Sequence, residues 1–264
     1  MKTKPSPHTS QTENLRKVSW QRRLLGMLAT RVFADGLETL NRRARRSMEV
    51  NTSARILDVG TGDGKVLRYL AEAVGSDRLE ALDLVPMKSP GVRIHRADLE
   101  KPFPLPNGRF DVVISSQNIE HIIDVPLYCS EIARVLKPGG YALVLTENLA
   151  SWTNIAPLFF GWIPFSLTNM FGIPYGNPLI WHAEIKTEAP WFREAQAKRQ
   201  WGVLGHQRVL TIRAIEQLFR ERGLVPEKRL SGGYFTTFGL AERFLSRLDP
   251  IHSHFIGMKF RKKS

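Results

Sequence analysis

The sequence predicts an α/β protein with a mostly parallel sheet and helices on both faces. Short apolar runs alternate along the chain with segments in which apolar residues recur at helical spacing, as in βαβ units. The run Phe110–Ser116 has a continuously apolar centre, which suits a strand buried on both faces. Three alternating glycines, Gly60, Gly62 and Gly64, separate the first apolar run from the first helical pattern. These features predict a strand, a tight turn and a helix in succession.

Composition places the chain among globular proteins with a strong positive charge. Of its 264 residues, 42% are hydrophobic and 24% are charged, which is near the globular average. The formal net charge of +13 predicts attraction to a polyanion or to an anionic membrane, or a basic face that is only solvated. Cys129 is the only cysteine, which excludes an intrachain disulfide and a cysteine-based metal cluster and favours the reducing cytoplasm. The sequence predicts no metal site.

Residues 1–50 are predicted to form a basic N-terminal extension, partly disordered and then helical. Residues 1–14 are polar with two prolines, and from Leu15 to Val50 apolar residues recur at helical spacing among many arginines. The basic face could contact lipid head groups, RNA or only water. Neither a secretory signal nor an apolar run of about 18–20 residues is present, so we expect a cytoplasmic protein that touches a membrane only peripherally.

The remaining elements follow from apolar patterns and stop signals. The segment Lys137–Gly140, with its Lys-Pro-Gly-Gly sequence, predicts the end of a helix that begins near Asp124. Thr211 is a plausible helix N-cap, and Gly223 is the matching stop. The expected strands lie near residues 55–59, 78–84, 92–97, 110–116, 141–146, 224–230 and 254–260, and the expected helices near 65–73, 124–136, 212–219 and 238–248.

The glycine turn is suited to an anionic ligand. Glycines at positions 60, 62 and 64 permit positive φ angles and let a ligand approach without a Cβ in the way, while the new helix points free N–H groups at the same space. The dinucleotide fingerprint G-x-G-x-x-G is not met, because no glycine stands at its third position. The turn therefore predicts a carboxylate or phosphate ligand other than a dinucleotide read by that fingerprint.

These residues carry a resemblance to a known family. The stretch from Asp58 to Gly64 reads D-x-G-x-G-x-G and resembles motif I of class I S-adenosylmethionine (SAM)-dependent methyltransferases. The run Glu131–Gly140 resembles a second family segment at the expected distance, and the chain looks like the type 11-like subgroup with small-molecule or lipid acceptors. The resemblance implies a Rossmann-like class I methyltransferase fold whose seven-stranded sheet ends in an antiparallel hairpin. It implies a methyltransferase domain over residues 51–264, with a cap inserted at about 147–210.

The resemblance also implies a SAM site along one edge of the sheet. The glycine turn would lie against the methionine part of SAM, and Asp98 would meet the adenine amino group with Leu99 packing nearby. A carboxylate at the end of the second strand, Asp83, can accept both ribose hydroxyls. Both acids could instead be ordinary loop residues. The expected cofactor contacts are Asp58, Gly60, Gly62, Gly64, Asp83, Leu84, Asp98, Leu99 and Ser115.

The acceptor side offers histidines as candidate bases. The segment Gln117–Ile122 resembles the corresponding segment of small-molecule methyltransferases and lacks the N/D-P-P-Y motif of amine-methylating enzymes. A hydroxyl acceptor would profit from a base, and histidine titrates near neutral pH. We expect His121 and His206 as catalytic residues, with His182 as a further candidate. His121 could instead be a helix-start histidine with satisfied hydrogen bonds.

The segment 155–171 is apolar but broken by prolines and a glycine. It could form a lid over an apolar acceptor, dip into a membrane interface or pack as a satellite core. We expect methyl transfer from SAM to O or C of a small-molecule or lipid-like acceptor, with peripheral contact to an anionic membrane. An RNA methyltransferase and a non-catalytic scaffold with the same fold are the alternatives, and nucleic acid is the less favoured partner.

Overall fold

The structure of the protein is a computed structural model that describes residues 20–49, 53–62, 64–84, 89–167, 176–177, 205–235 and 237–264. His182, most of the predicted cap and the first part of the N-terminal extension lie outside the described residues. The strands are β1 Ile56–Val59, β2 Leu79–Asp83, β3 Arg93–Arg96, β4 Phe110–Ser116, β5 Leu136–Glu147, β6 Leu224–Gly232 and β7 Phe255–Lys262. The α-helices are α1 Trp20–Ser47, α2 Lys65–Val74, α3 Val125–Val135, α4 Trp152–Phe159, α5 Ile212–Arg220 and α6 Gly239–Leu248.

The seven strands form one sheet in the order β3-β2-β1-β4-β5-β7-β6. Strands β1 to β5 pair in parallel, and β7 pairs antiparallel with both β5 and β6. The prediction of a mostly parallel seven-stranded sheet that ends in a hairpin is confirmed. The order reverses at β1 and β4, and a crevice beyond the carboxyl ends of the strands at such a reversal is the usual ligand position in open α/β sheets.

Helices cover both faces of the sheet and bury two apolar clusters. On one face, α3 and α5 pack Tyr128 and Phe219 against the sheet. On the other face, α1 and α2 contribute Leu40 and Leu70. Thr211 accepts a hydrogen bond from the backbone N–H of Ala214, so the predicted N-cap of α5 is present. The α/β layering predicted from the sequence is thereby confirmed.

Helix α1 is packed against the strands that end the chain. Thr39 Oγ1 donates to Glu242 Oε2 of α6 over 2.8 Å, and Arg43 Nη1 donates to the backbone oxygen of Ser231 in β6 over 2.8 Å. A side chain at Gly36 would overlap the backbone of Gly233, so the two segments approach closely because both residues are glycine. The later part of the predicted extension therefore belongs to the packed core.

One predicted boundary differs from the structure. The Lys-Pro-Gly-Gly segment was expected to end a helix and precede a strand at Tyr141. The helix α3 instead ends at Val135, and β5 begins at Leu136 and includes the segment. The register with β4 shifts between Phe110 and Val112, so the extra residues are absorbed as an irregularity in the pairing.

The described part of the predicted cap begins with α4. Asn154 is fully buried: its side-chain amide donates to Ser166 Oγ over 2.9 Å, and its side-chain oxygen accepts from the Ser166 backbone N–H over 3.0 Å. At the far end of α4, Phe159 and Phe160 are 82% and 69% exposed. The first turn of α4 is thus packed inward at Asn154, and its last residues face outward. None of the described helices is long and apolar enough to cross a bilayer.

Candidate cofactor and acceptor site

The glycine turn links β1 to α2 at the carboxyl edge of the sheet. Gly60, Gly62 and Gly64 have φ angles of +71°, +51° and +70°, as expected for a turn that other residues rarely adopt. A side chain at Gly60 would overlap the Asn118 carboxamide, whereas among the described residues no atom outside its chain neighbours lies within 4 Å of the position that a Cβ would take at Gly62. Within the described part of the chain, the turn is thus packed at Gly60 and open at Gly62.

The side chain of Asn118 holds the glycine turn against the ends of two strands. Its Nδ2 donates to the backbone oxygens of Val59, over 2.7 Å, and Ser116, over 2.9 Å. These oxygens lie at the carboxyl ends of β1 and β4, so one side chain joins the two strands at the point where the sheet order reverses. This joint holds the glycine turn in place.

Asp83 lies at the end of β2 against the same turn. Its Oδ2 accepts from Thr61 Oγ1 over 2.9 Å and from the Gly62 backbone N–H over 3.0 Å. The sequence placed Asp83 beside a ribose, and the structure brings its carboxylate to the open side of the turn. Leu84 follows directly and is half-buried. The predicted neighbours Gly62, Asp83 and Leu84 are thus together.

Asp58 is buried beneath the turn, with 1% of its surface exposed. Its Oδ2 has no hydrogen-bond partner among the described residues. Burial, with a smaller contribution from the Asp83 carboxylate, raises the pKa of Asp58 to about 7. A buried carboxyl without a partner for one oxygen is costly when ionised, so Asp58 keeps its proton to a much higher pH than an exposed aspartate does.

Asp98 and Leu99 lie in the loop after β3. Asp98 Oδ1 accepts from the Glu100 backbone N–H over 3.1 Å, and its other oxygen lies 3.4 Å from Lys101 Nζ. Glu100 in turn accepts from the backbone N–H groups of Ile123 and Asp124 over 2.7 and 3.0 Å. Leu99 packs against the apolar cluster that α3 and α5 form with the sheet. The loop is therefore braced against the segment that follows β4.

Ser115, another predicted cofactor contact, lies near the end of β4. Its side chain is fully buried, and its Oγ lies 2.8 Å from the hydroxyl of Tyr128 in α3. Tyr128 is itself fully buried. The Ser115 hydroxyl thus packs into the core between β4 and α3, and its cofactor contact stays a prediction.

His121 and His206 come together beyond β4 and β5, although 84 residues separate Gly205 from His121 in the chain. Their ring centroids are 5.0 Å apart. His121 Nδ1 lies 3.0 Å from the backbone oxygen of Gly205, and His206 Nδ1 lies 2.6 Å from that of Ser166. Because a carbonyl oxygen can only accept, each Nδ1 carries the hydrogen. The two predicted catalytic residues therefore share one site.

Two glutamates adjoin this histidine pair. Glu120 is 1% exposed, and its Oε2 accepts from Thr146 Oγ1 over 2.7 Å. Burial raises the pKa of Glu120 to about 7. Glu147 Oε2 lies 3.8 Å from His206 Nδ1 and 3.6 Å from His254 Nε2. Burial alone would lower the pKa of His206, but Glu147, Glu120 and the bond to Ser166 together raise it.

The sequence did not single out the residues that support both halves of the site. Asn118 and Glu120 lie in the segment Gln117–Ile122, which resembles that of small-molecule methyltransferases. The resemblance implied no role for either residue. A carboxylate directly before a histidine was the available signal for Glu120. Thr146 carried no local signal, because its contact with Glu120 depends on the pairing of β4 with β5.

A family model described as "Methyltransferase domain" matches residues 29–228. The chain belongs to this family. The match begins within α1 and runs to β6, so it includes the glycine turn and the histidine pair.

Relatives and a solved structure agree with this methyltransferase assignment. The chain is 34% identical over 103 residues to a ubiquinone biosynthesis O-methyltransferase of Chelativorans sp., covering 36% of this chain and 40% of the relative. It is 34% identical over 112 residues to the phthiotriol/phenolphthiotriol dimycocerosates methyltransferase of Mycobacterium leprae, covering 39% and 41%. The structure of a SAM-dependent methyltransferase from Mesorhizobium loti superposes with a TM-score of 0.54 at 21% identity, covering 86% and 100%.

The matched part spans about two-fifths of the length of these curated relatives, with 40% and 41% covered. The predicted family, a class I SAM-dependent methyltransferase with its SAM cofactor, and the predicted Rossmann-like methyltransferase fold are confirmed. The individual cofactor and catalytic residues remain predictions of the methyltransferase site.

Proposed function

We propose that this protein transfers the methyl group of SAM to an oxygen or carbon of a small-molecule or lipid-like acceptor. One observation carries the proposal. The glycine turn is open above Gly62, and Asp83 lies beside that opening, bonded to Gly62 and Thr61. The turn would hold the methionine part of SAM, Asp83 the ribose, and Asp98 the adenine.

For methyl transfer, the protein needs mainly to position the acceptor and to exclude water from the site. The sulfonium of SAM makes its methyl group electrophilic, so an acceptor held in line with the S–CH₃ bond reacts when water is kept out. His121 and His206 lie beyond β4, the strand next to the glycine turn. We assign this histidine pair to the acceptor side, where the acceptor hydroxyl is activated.

An apolar acceptor is supported by the cap and by the relatives. The described residues of 147–210 include the exposed Leu158, Phe159 and Phe160 at the end of α4. We place this segment as a cap over the acceptor. Relatives of the chain are named for methyl transfer in ubiquinone biosynthesis and for transfer to phthiotriol dimycocerosates. A lipid-like acceptor in the same class fits both observations.

We further propose that the protein is cytoplasmic and contacts an anionic membrane peripherally. Helix α6 supports this contact. Leu240, Phe244 and Leu248 follow one another at helical spacing and are 80%, 63% and 66% exposed. Arg243 and Arg247 are exposed on the same helix. An exposed apolar stripe flanked by arginines is typical of a helix that lies in a membrane interface with acidic lipids.

Calorimetric titration with SAM, followed by labelling of fractionated cell extract, tests the function. We expect the folded protein to bind SAM and to place labelled methyl groups in the small-molecule or lipid fraction. Folded protein without SAM affinity would overturn the enzyme proposal. Label confined to RNA would overturn the acceptor class.

Sedimentation with vesicles tests the membrane contact. We expect the protein to bind vesicles that contain phosphatidylglycerol more strongly than vesicles of phosphatidylcholine alone, with less binding at high salt. Phe244→Ser should reduce this binding, whereas Ile123→Ser, at a residue that is 55% exposed on the loop before α3, should not. Equal losses in the two variants would contradict a contact through α6.

A further inference from the structure

Three metal-ligating side chains converge on the acceptor side of the sheet edge. One ligand atom from each of Glu120, His121 and His206 lies within 4.8 Å of the other two. We call this group the His–Glu cluster. Glu120 is buried, and the two histidines are half-buried. Three possible ligand atoms this close together in a mostly buried site would be matched electrostatically by a cation.

The surroundings of the His–Glu cluster orient all three side chains. Because each Nδ1 donates to a backbone carbonyl, at Gly205 for His121 and at Ser166 for His206, Nε2 is the nitrogen that presents a lone pair. Glu120 is held by the bond from Thr146 to one of its oxygens. Metal-binding histidines are held in this way, with the second ring nitrogen donating to a carbonyl or carboxylate.

We propose that Glu120, His121 and His206 bind a divalent first-row transition-metal ion. Two imidazoles and one carboxylate suit Zn²⁺ or a neighbouring ion of that row, and three protein ligands leave a coordination position open. Ligand atoms about 2.1 Å from a shared ion stand about 3.4 Å apart in tetrahedral geometry, so the side chains need to close by about 1 Å. This inference departs from the sequence prediction, which had no metal site.

The role of the ion rests on the proposed function. The acceptor hydroxyl would take the open position, and coordination would ease the loss of its proton to solvent. An oxygen lone pair then forms the O–CH₃ bond, the S–CH₃ bonding pair returns to sulfur, and S-adenosylhomocysteine leaves uncharged. His121 and His206 act as metal ligands in this scheme and not as the proton acceptors that the sequence predicted.

The test uses the full chain without a polyhistidine tag, stripped with a chelator and dialysed. Co²⁺ is added alone, and its visible absorption and the binding of Zn²⁺ by equilibrium dialysis are measured. We expect one equivalent of either ion per chain. A wild-type protein that is folded but gives no Co²⁺ absorption and binds no Zn²⁺ would overturn the proposal without recourse to any variant.

Variants assign the site. His206→Gln and Glu120→Gln should each weaken Zn²⁺ binding at least tenfold. The matched control is His95→Gln, since His95 Nε2 lies 2.8 Å from Glu80 Oε2 in a histidine–glutamate pair elsewhere on the sheet. Equal Zn²⁺ binding by His206→Gln, His95→Gln and the wild type would show that the ion binds elsewhere. The assignment of the site to the His–Glu cluster would then be wrong.

A parallel titration with SAM in the presence of chelator separates the two proposals. SAM binding without any metal binding would reject the metal site and retain the methyltransferase. Metal binding without SAM binding would reject the proposed function and leave the metal site standing.

Discussion

The glycine turn and the His–Glu cluster lie on neighbouring parts of one sheet edge but are built in different ways. The turn is a short continuous stretch whose shape comes from positive φ angles at Gly60, Gly62 and Gly64. The cluster joins the end of β4 to a histidine more than 80 residues later. A hydrogen bond from Thr146 and hydrogen bonds to the backbone oxygens of Ser166 and Gly205 hold it. Local backbone conformation specifies the first, and tertiary packing specifies the second.

This difference predicts separate responses to mutation. Changes in the turn should act on SAM and on the β1–β4 joint. Changes around the His–Glu cluster should leave SAM binding intact, because no described hydrogen bond joins Glu120 to the turn. The two regions can therefore be disrupted independently.

Gly60→Ala should give the largest loss. Its Cβ would overlap the Asn118 carboxamide, at a φ of +71° that already disfavours alanine by about 1 kcal/mol. Displacing Asn118 would also break its two bonds to Val59 and Ser116, at about 1 kcal/mol each, so the free energy of unfolding should fall by about 3 kcal/mol in urea denaturation. Gly108→Ala, with φ of +59° and open space around its Cβ, should lose only about 1 kcal/mol. Equal losses of stability in the two variants would show that Asn118 moves aside without a free-energy cost.

Asp58→Asn should remove a pH dependence that arises beneath the turn. The unfolded chain releases the Asp58 proton near its ordinary pKa of 3.8, whereas the folded protein holds it to about 7. Unfolding between these values releases a proton, so this residue lowers stability as pH rises. From pH 5 to 7 the wild type should lose about 2 kcal/mol more than Asp58→Asn, measured by urea denaturation of SAM-free protein. Parallel stability curves for the two proteins would contradict a raised pKa.

The same contrast explains how much the sequence could predict. The fold and the turn were predictable, because apolar periodicity and glycine spacing act over a few residues and Asp83 follows at a strand end. Thr146 and Asn118 could not be assigned, because their partners are fixed only by strand pairing. The contact of Ser115 with Tyr128 could not be predicted for a related reason, because it depends on how α3 packs on β4. The boundary of β5 was missed because a bulge in its pairing absorbs the Lys-Pro-Gly-Gly segment.

Thr146→Val should separate the His–Glu cluster from the turn. The valine keeps the shape but removes the donor to Glu120, which should lower the free energy of unfolding by about 1.5 kcal/mol. Thr39→Val removes an equivalent buried bond, from Thr39 to Glu242, on the far side of the core and should cost about the same. Only Thr146→Val should reduce methyl transfer in the labelling assay, and neither should alter SAM affinity. Loss of SAM affinity in Thr146→Val would show that the two regions are coupled.

Gly62→Ala should have the smallest effect on the fold and a selective effect on SAM. No described atom outside the chain neighbours of Gly62 lies within 4 Å of the added methyl group, so the stability loss should match the loss of about 1 kcal/mol in Gly108→Ala, which shares its positive φ. The methyl group would project into the space assigned to the methionine part of SAM. We therefore expect SAM affinity to fall about tenfold, or about 1.4 kcal/mol, in calorimetric titration, with no change in Gly108→Ala. Gly62→Ala protein that binds SAM as the wild type does would move the cofactor away from the open side of the turn, and the assignment of Asp83 to the ribose would fall with it.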